Sequence, residues 1–285
     1  MKITFWGTRG SQATPGSETV RYGGNTACVE VESDDGAVLI LDAGTGIRPL
    51  GNTMAKRSGR VDILITHLHM DHIQGLGFFQ PLYGDDLDVH IWGPASTSQP
   101  LPARLTRYLS PPLFPVHLRD LPCASNVHDV PYGSFDIGPF HVTSELVCHP
   151  GPTVGYRIEA DGASIAYMPD HEPALVASEV GGLRGDPNWT SGFDLAHDVD
   201  LLIHDAQYTP LEYADRVGWG HSTVAEALDF ARLAHVKHLV LFHFDPTHDD
   251  DSLDGMFADA TAATAVDGMI VTAAHEGDTL TVSNP

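Results

Sequence analysis

Within six positions, His67-Leu68-His69-Met70-Asp71-His72 gathers three imidazoles and a carboxylate. Imidazole nitrogens and carboxylate oxygens are ligands for zinc and neighbouring first-row metals, so a cluster this dense reads as a metal site. The segment before it, Val61-Asp62-Ile63-Leu64-Ile65, is β-branched and apolar and predicts a buried strand. Side chains on a strand alternate with period two, so His67 and His69 project to one side of its end. Asp71 and His72 fall on the following loop or first helical turn, where they can face back toward the same point. Surface histidines on a solvated turn are the plain alternative. The strand in front and the partners downstream speak against it.

Four more apolar segments end in groups of the same kind. Residues 140–147 run into Cys148-His149, 163–168 into Pro169-Asp170-His171, 199–203 into His204-Asp205, and 237–242 into His243. Strand ends on one edge of a sheet form a single rim, so these groups can converge on His67 and His69 although they lie far apart in sequence. A hairpin, residues 27–32 and 37–41 about Asp34-Asp35-Gly36, ends in Asp42-Ala43-Gly44-Thr45-Gly46. Its glycines could cradle a phosphate. The favoured reading is a strand-to-helix turn in which Asp42 holds a metal-ligating histidine from behind. Helices are expected over 73–79, from a cap at Ser222 or Thr223 through Ala234 with Glu226 early, and after Asp249-Asp250-Asp251 to about residue 265. Residues 181–194 read as an aperiodic loop, and a last strand pair, 269–272 and 279–282, closes the chain. Strand-rich and helix-rich stretches alternate twice. This predicts two similar halves packed sheet to sheet with helices outside, one α/β (α+β) domain over residues 1–285.

The His-x-His-x-Asp-His motif with spaced His, Asp and His resembles the metallo-β-lactamase superfamily over nearly the whole chain. The resemblance implies an αββα sandwich with a dinuclear metal centre on one edge. His67, His69 and His149 would hold one divalent ion and Asp71, His72 and His243 the other, with Asp170 bridging. The likeness is greatest to the phosphodiesterase branch, which includes tRNase Z and cyclic phosphodiesterases. His149-Pro150-Gly151-Pro152-Thr153-Val154-Gly155-Tyr156 looks like its third motif, and His204-Asp205-Ala206 stands where the branch has His-Glu-Ala. Gly220-His221-Ser222-Thr223 and Leu239-Val240-Leu241-Phe242-His243-Phe244 match its C-terminal signature. By that resemblance His221 is a proton donor held by Asp205, and Asp71 joins them in the catalytic set. Two divalent ions about 3.5–4 Å apart supply hydroxide near neutral pH and neutralise phosphate oxygens. An alkoxide leaves poorly without a positioned acid, and histidine titrates near the working pH.

The implied reaction is hydrolysis of a small or cyclic phosphodiester. Hydrolysis of a lactone, thioester or β-lactam on the same centre is the alternative, and His221 with Asp205 counts against it. A redox di-iron centre is disfavoured because that branch has Glu where this chain has His69. A metal-binding protein without activity does not need so complete a ligand set. Zinc is the first choice of metal, and the ligands suit manganese and iron as well. Two departures stand out. Only 20 residues lie between His149 and Asp170, too few for the long tRNA-binding arm of one tRNase Z type. His171 replaces the Thr or small residue usual after the bridging Asp, suggesting a variant pocket or an extra ligand.

Composition bounds the rest. Acidic residues outnumber basic ones 38 to 15, a net charge of −23, which repels nucleic acid phosphates at long range and argues against a large nucleic acid substrate. No apolar stretch reaches membrane-span length and the first residues carry no signal pattern. Cys28, Cys123 and Cys148 are isolated and odd in number, so no disulfide framework is expected; the compartment expected is the cytoplasm. Cys148 should point away from His149 as a small core residue. Residues 94–125 are proline-rich and apolar, which suits a lid or pocket wall as well as a packed loop or a homodimer contact. His90, His117, His128, His141, His197, His235, His238 and His275 lack matching partners and read as structural or surface residues, as do His204 and His248.

Overall fold

The computed structural model describes residues 1–54, 57–84, 86–122, 125–173, 176–177, 183–184, 186, 189–264 and 268–283. In chain order the first half comprises β1 (Lys2–Gly7), β2 (Cys28–Glu32), β3 (Val38–Leu41), α1 (Ile47–Thr53), β4 (Gly59–Leu64), α2 (Met70–Ile73), β5 (Leu87–Gly93), α3 (Leu101–Leu105) and β6 (Ser125–Asp129). The second comprises β7 (Gly133–Ile137), β8 (Phe140–Leu146), β9 (Val154–Ala160), β10 (Ala163–Met168), a short ribbon β11 (Val176–Ala177) and β12 (Leu183–Arg184), α4 (Phe193–Ala196), β13 (Leu201–Asp205), α5 (Pro210–Tyr213), α6 (Val224–Leu233), β14 (His238–Phe242), α7 (Asp250–Thr264), β15 (Ile270–Ala273) and β16 (Thr279–Thr281).

Two seven-stranded mixed sheets result, ordered β16-β1-β2-β3-β4-β5-β6 and β15-β14-β13-β10-β9-β8-β7. Each joins a parallel run, β3 to β6 or β10 to β15, to an antiparallel one. Apolar side chains from both sheets, including Phe5, Leu41, Leu64, Tyr156, Tyr167, Ile203 and Phe242, share one buried layer. The outer faces are covered by α1, α2 and α3 on one side and by α4, α6 and α7 on the other. The expected αββα sandwich is therefore the fold. Residues 61–64 of β4 and all of β13 are buried because both faces of each strand are covered, as in buried parallel strands generally.

Several expectations are corrected. The last two strands do not pair with each other: β15 joins the second sheet, while β16 crosses over and pairs with β1. The helix expected over 73–79 begins earlier, at Met70, so that Asp71 and His72 lie in its first turn, and a separate 3-10 turn covers Leu76–Phe78. Cys148 is exposed rather than in the core, because β8 ends at Leu146 and strand alternation stops there. Of the alternatives for the 94–125 segment, the packed loop fits its described residues: Leu101, Leu105, Leu109, Phe114, Leu118 and Leu121 are buried in the cluster over the first sheet. Parts of the 181–194 loop, Cys123 and residue 265 lie outside the described residues.

Candidate metal centre

The parallel strands of both sheets end on one edge, where an open α/β layer binds its ligands. From β4 the chain passes Thr66 into His67 and His69, and α2 follows at once with Asp71 and His72. β8, β10 and β14 deliver His149, Asp170 and His243. The seven residues meet in two overlapping groups: His67, His69, His149 and Asp170 have ligand atoms within 4.8 Å of one another, as do Asp71, His72, Asp170 and His243.

Asp170 belongs to both groups through different oxygens. Its Oδ2 lies 3.7 Å from His67 Nε2 and 3.7 Å from His149 Nε2, and its Oδ1 lies 2.9 Å from His72 Nε2 and 3.2 Å from His243 Nε2. His149 Nε2 is 3.2 Å from His69 Nδ1, His72 Nε2 is 3.3 Å from His243 Nε2, and Asp71 Oδ2 is 3.2 Å from both His72 and His243.

The outward-facing ring nitrogens are occupied. His72 Nδ1 donates to Asp42 Oδ2 (2.8 Å), His243 Nδ1 to Gln207 Oε1 (3.0 Å) and His149 Nδ1 to the Gly220 carbonyl (2.9 Å). These bonds fix the tautomers and leave Nε2 lone pairs facing inward. Asp42 carries out the predicted support from behind, and is itself fixed by Thr66 N (2.8 Å) and the Tyr167 hydroxyl (3.0 Å). Asp42 and His243 both sit at positive φ, 59° and 63°, a conformation few non-glycine residues adopt, here set by the site around them. A Cβ at Gly10 would overlap the His243 ring, so the β1 loop can close over it only with glycine there.

This donor set fits divalent cations. Lone pairs of five imidazoles and two carboxylates converge with few protons to share. His67 Nε2 and Asp170 Oδ1 are buried without a hydrogen bond of acceptable geometry, a costly state for polar atoms. Burial pushes His67, His69 and His149 below the usual imidazole range. Burial acts the same way on His72, yet Asp170, Asp71 and Asp42 hold it well above that range. The cluster draws positive charge to its centre.

Beside it stands His221, its ring stacked on His243 at 5.2 Å and in edge contact with His149 at 5.0 Å. Its Nδ1 lies 2.6 Å from Asp205 Oδ2. Asp205 Oδ1 accepts from the backbone N–H groups of Gln207 and Ser222, both at 3.0 Å, so the carboxylate cannot rotate. Burial lowers the affinity of the His221 ring for a proton, and Asp205 with Asp170 and Asp71 outweighs it, pushing the pKa up to about 9. A Thr223–Glu226 capping box starts α6 directly after this segment and fixes its entry.

His171 belongs to neither ligand group. Its Nδ1 donates to His204 Nε2 (2.8 Å) and its ring packs on Phe230, so it belongs to the buried core behind Asp170. His197, His235 and Asp198 form a partly exposed trio of their own. Glu172 was not singled out in the sequence. It is buried, and it accepts from Tyr213 Oη (2.7 Å), Gly218 N (2.9 Å) and Gly220 N (2.8 Å), while its own N–H donates to Cys148 O (3.0 Å). It thereby ties together the segments that carry His149, Asp170 and His221. The legible signal was a loop, Gly218-Trp219-Gly220, whose N–H groups need an anion.

A family model described as a β-lactamase superfamily domain matches residues 38–244. The chain belongs to the metallo-β-lactamase superfamily. Ribonuclease Z of Thermococcus gammatolerans is 31% identical over 251 residues, covering 75% of this chain and 78% of that protein. Among solved structures, the short form of human tRNase Z superposes with a TM-score of 0.67 over the whole of both chains at 22% identity. A diphosphatase of the PhnP family gives 0.65 over 98% of this chain and 96% of that one at 18% identity. The superfamily protein described here is a hydrolase of the phosphodiesterase branch. The relative's name, a ribonuclease, removes the support for excluding nucleic acid on net charge alone. Among the described residues no helix is long and apolar enough to cross a membrane.

Proposed function

We propose that this hydrolase cleaves a small or cyclic phosphodiester on a dinuclear centre. His67, His69 and His149 would hold one cation, Asp71, His72 and His243 the other, and Asp170 both. Two divalent cations, zinc in the first instance, would supply Lewis acidity and a water ionised near neutral pH. The chain's own residues do the rest. Asp42, Gln207 and the Gly220 carbonyl take the outward Nδ1–H groups of His72, His243 and His149, which turns each Nε2 toward the place a cation would occupy. Asp205 keeps His221 charged, so that Nε2 carries a proton for the departing alkoxide.

The observation that carries this reading is the His221–Asp205 pair, 2.6 Å apart and in contact with both ligand groups through His149 and His243. A β-lactam or lactone hydrolase has less use for a protonated acid held in this place. The test is metal content together with turnover of bis-p-nitrophenyl phosphate, 2′,3′-cyclic and 3′,5′-cyclic nucleotides, a lactone and a β-lactam. About two metals per chain with diester-selective turnover is expected; ester or lactam turnover alone refutes the reading. The relatives' names favour a second reading, cleavage of an RNA, which an RNA substrate in the same panel would reveal.

A further inference from the structure

The fold gathers a second set of metal-ligand side chains far from the rim. His197 and Asp198 lead from the end of α4 into β13, and His235 lies between the end of α6 and β14. β13 and β14 are parallel neighbours, so both connections lie at the edge where these strands start. Asp205 and His243 lie where the same strands end. At about 3.3 Å per residue, the five residues of β13 separate the two edges by roughly 17 Å. Backbone hydrogen bonds tie the two connections together: Asp198 N–H donates to the Ala234 carbonyl at 2.8 Å, and Lys237 N–H to the Val199 carbonyl at 3.2 Å.

The side chains converge across this tie. The Asp198 carboxylate stands between two imidazoles, with Oδ2 3.4 Å from His197 Nδ1 and Oδ1 3.6 Å from His235 Nδ1. One ligand atom from each of the three lies within 4.8 Å of the other two. Among the described residues neither ring makes a hydrogen bond. Elsewhere on the surface, His141 Nδ1 meets Asp136 at 2.7 Å, an ordinary hydrogen bond. Two ligand atoms about 2.1 Å from one zinc ion, at the tetrahedral angle, stand about 3.4 Å apart, so the wider spacing suits atoms that share a cation. The ligands are also held in place. The His197 ring packs on Phe193 at 5.1 Å, and its carbonyl accepts from Arg157 at 2.7 Å. Asp198 and His235 are both left-handed, at φ 56° and 54°; His235 takes the position just past a helix end where glycine is usual. We propose that His197, Asp198 and His235 bind one divalent cation of the zinc type, with the partly exposed side of the trio leaving a position for water. The cation pins the α4–β13 connection to the α6–β14 connection. This site shares no residue with the rim centre and does not depend on the phosphodiesterase reading.

The test is a zinc titration of the full chain, stripped of metal beforehand, against a chromophoric chelator. Wild type is expected to take up one equivalent more than Asp198→Asn and one more than His235→Gly. Both positions are exposed, and glycine adopts the left-handed backbone at 235 freely, so both variants keep the fold and the rim. His141→Ala removes an exposed imidazole that has its own carboxylate, and should leave the count at the wild-type value. The count is a difference between proteins with the same rim, so it reads this site however many cations the rim holds. Zinc should also protect His197 and His235, but not His141, from diethyl pyrocarbonate, with the modified residues located by mass spectrometry. Equal zinc counts in wild type and both trio variants overturn the proposal. An equal drop in His141→Ala also overturns it, because the extra zinc is then an adventitious ion only. Modification of His197 and His235 that zinc leaves unchanged does the same.

Discussion

Asp205→Asn tests the proton donor without changing the shape of the site. The two N–H groups of Gln207 and Ser222, both 3.0 Å from Oδ1, require a carbonyl oxygen there, so the amide nitrogen must take the place of Oδ2. That nitrogen is a donor, and it faces His221 Nδ1 across 2.6 Å. The ring can meet it only as a neutral acceptor. The charge that raised His221 to about 9 is then gone while burial remains, and the pKa should fall to 6.5 or below. At about pH 8 roughly nine-tenths of wild-type rings carry the proton, against roughly one in thirty in the variant, a loss near thirtyfold in the acid form. Bound cations lower both values, and the difference between the proteins survives. The assay is kcat/KM against pH for an alkoxide-leaving diester and for bis-p-nitrophenyl phosphate, whose leaving group needs no proton. The basic limb should move to lower pH with the first substrate, and the second should be nearly unaffected at pH 8. An unmoved limb, or equal losses on both substrates with metal retained, refutes the role. The same shift bears on stability. Because the folded pKa lies above the ordinary 6.5, the pair stabilises the metal-free fold fully below about pH 6.5 and ceases to do so as the pH rises through about 9.

Three further outcomes are expected. Glu172→Ala should weaken the cation held by His149 and lower kcat more than it raises KM, with Glu172→Gln intermediate, since one amide oxygen cannot serve three donors; competitive chelation and kinetics read both, and a change in melting temperature alone would make Glu172 merely structural. Asp42→Asn keeps the positive φ accessible but sets an amide N–H against donors, so metal affinity should fall about 10–100-fold, measured by chelator competition. Chelation of wild-type protein should lower its melting temperature, and zinc at about 1,000 times its Kd should restore about 4 kcal/mol; superimposable melts would show that no cation is held in the fold.

How much of this was legible follows from range in sequence. The His67–His72 motif announces itself because a buried strand and a helix start fall within ten residues, and period two alone aligns His67 with His69. His149, Asp170 and His243 were legible as residues at strand ends, but their division between two groups came only with the family resemblance, since nothing local says which oxygen of Asp170 faces which imidazole. β6 and β7 went unseen because, at sheet edges, their Ser-Asn-Val-His-Asp and Gly-Ser-Phe-Asp-Ile sequences bury little. The pairing of β16 with β1 joins residues almost the full chain apart, and three residues of Thr-Leu-Thr cannot specify a distant edge. Glu172 was missed because the N–H groups it serves, at Gly218 and Gly220, lie 46 and 48 residues away, and the glycine loop that carries them does not say which anion it meets.

The same physics separates the centre from the fold that carries it. Without a cation, His67 places a buried, unbonded Nε2 beside three other imidazoles, and such an atom costs about 1–3 kcal/mol. The apolar layer between the sheets, not the cluster, sustains the structure. His67→Phe should therefore leave the metal-free protein as stable as wild type or more so, because the ring volume stays while the orphan atom disappears; the lost partner of Nδ1 is only the Thr66 hydroxyl at 3.1 Å. On the proposed dinuclear reading the order reverses in zinc, because the wild type would gain the stabilisation of two cations and the variant that of one. Denaturant melts of both proteins, with chelator and with zinc, give the four stabilities. A variant less stable than wild type in chelator as well as in zinc would mean that the imidazole supports the fold itself, and the reading of His67 as a residue kept for its cation would fail.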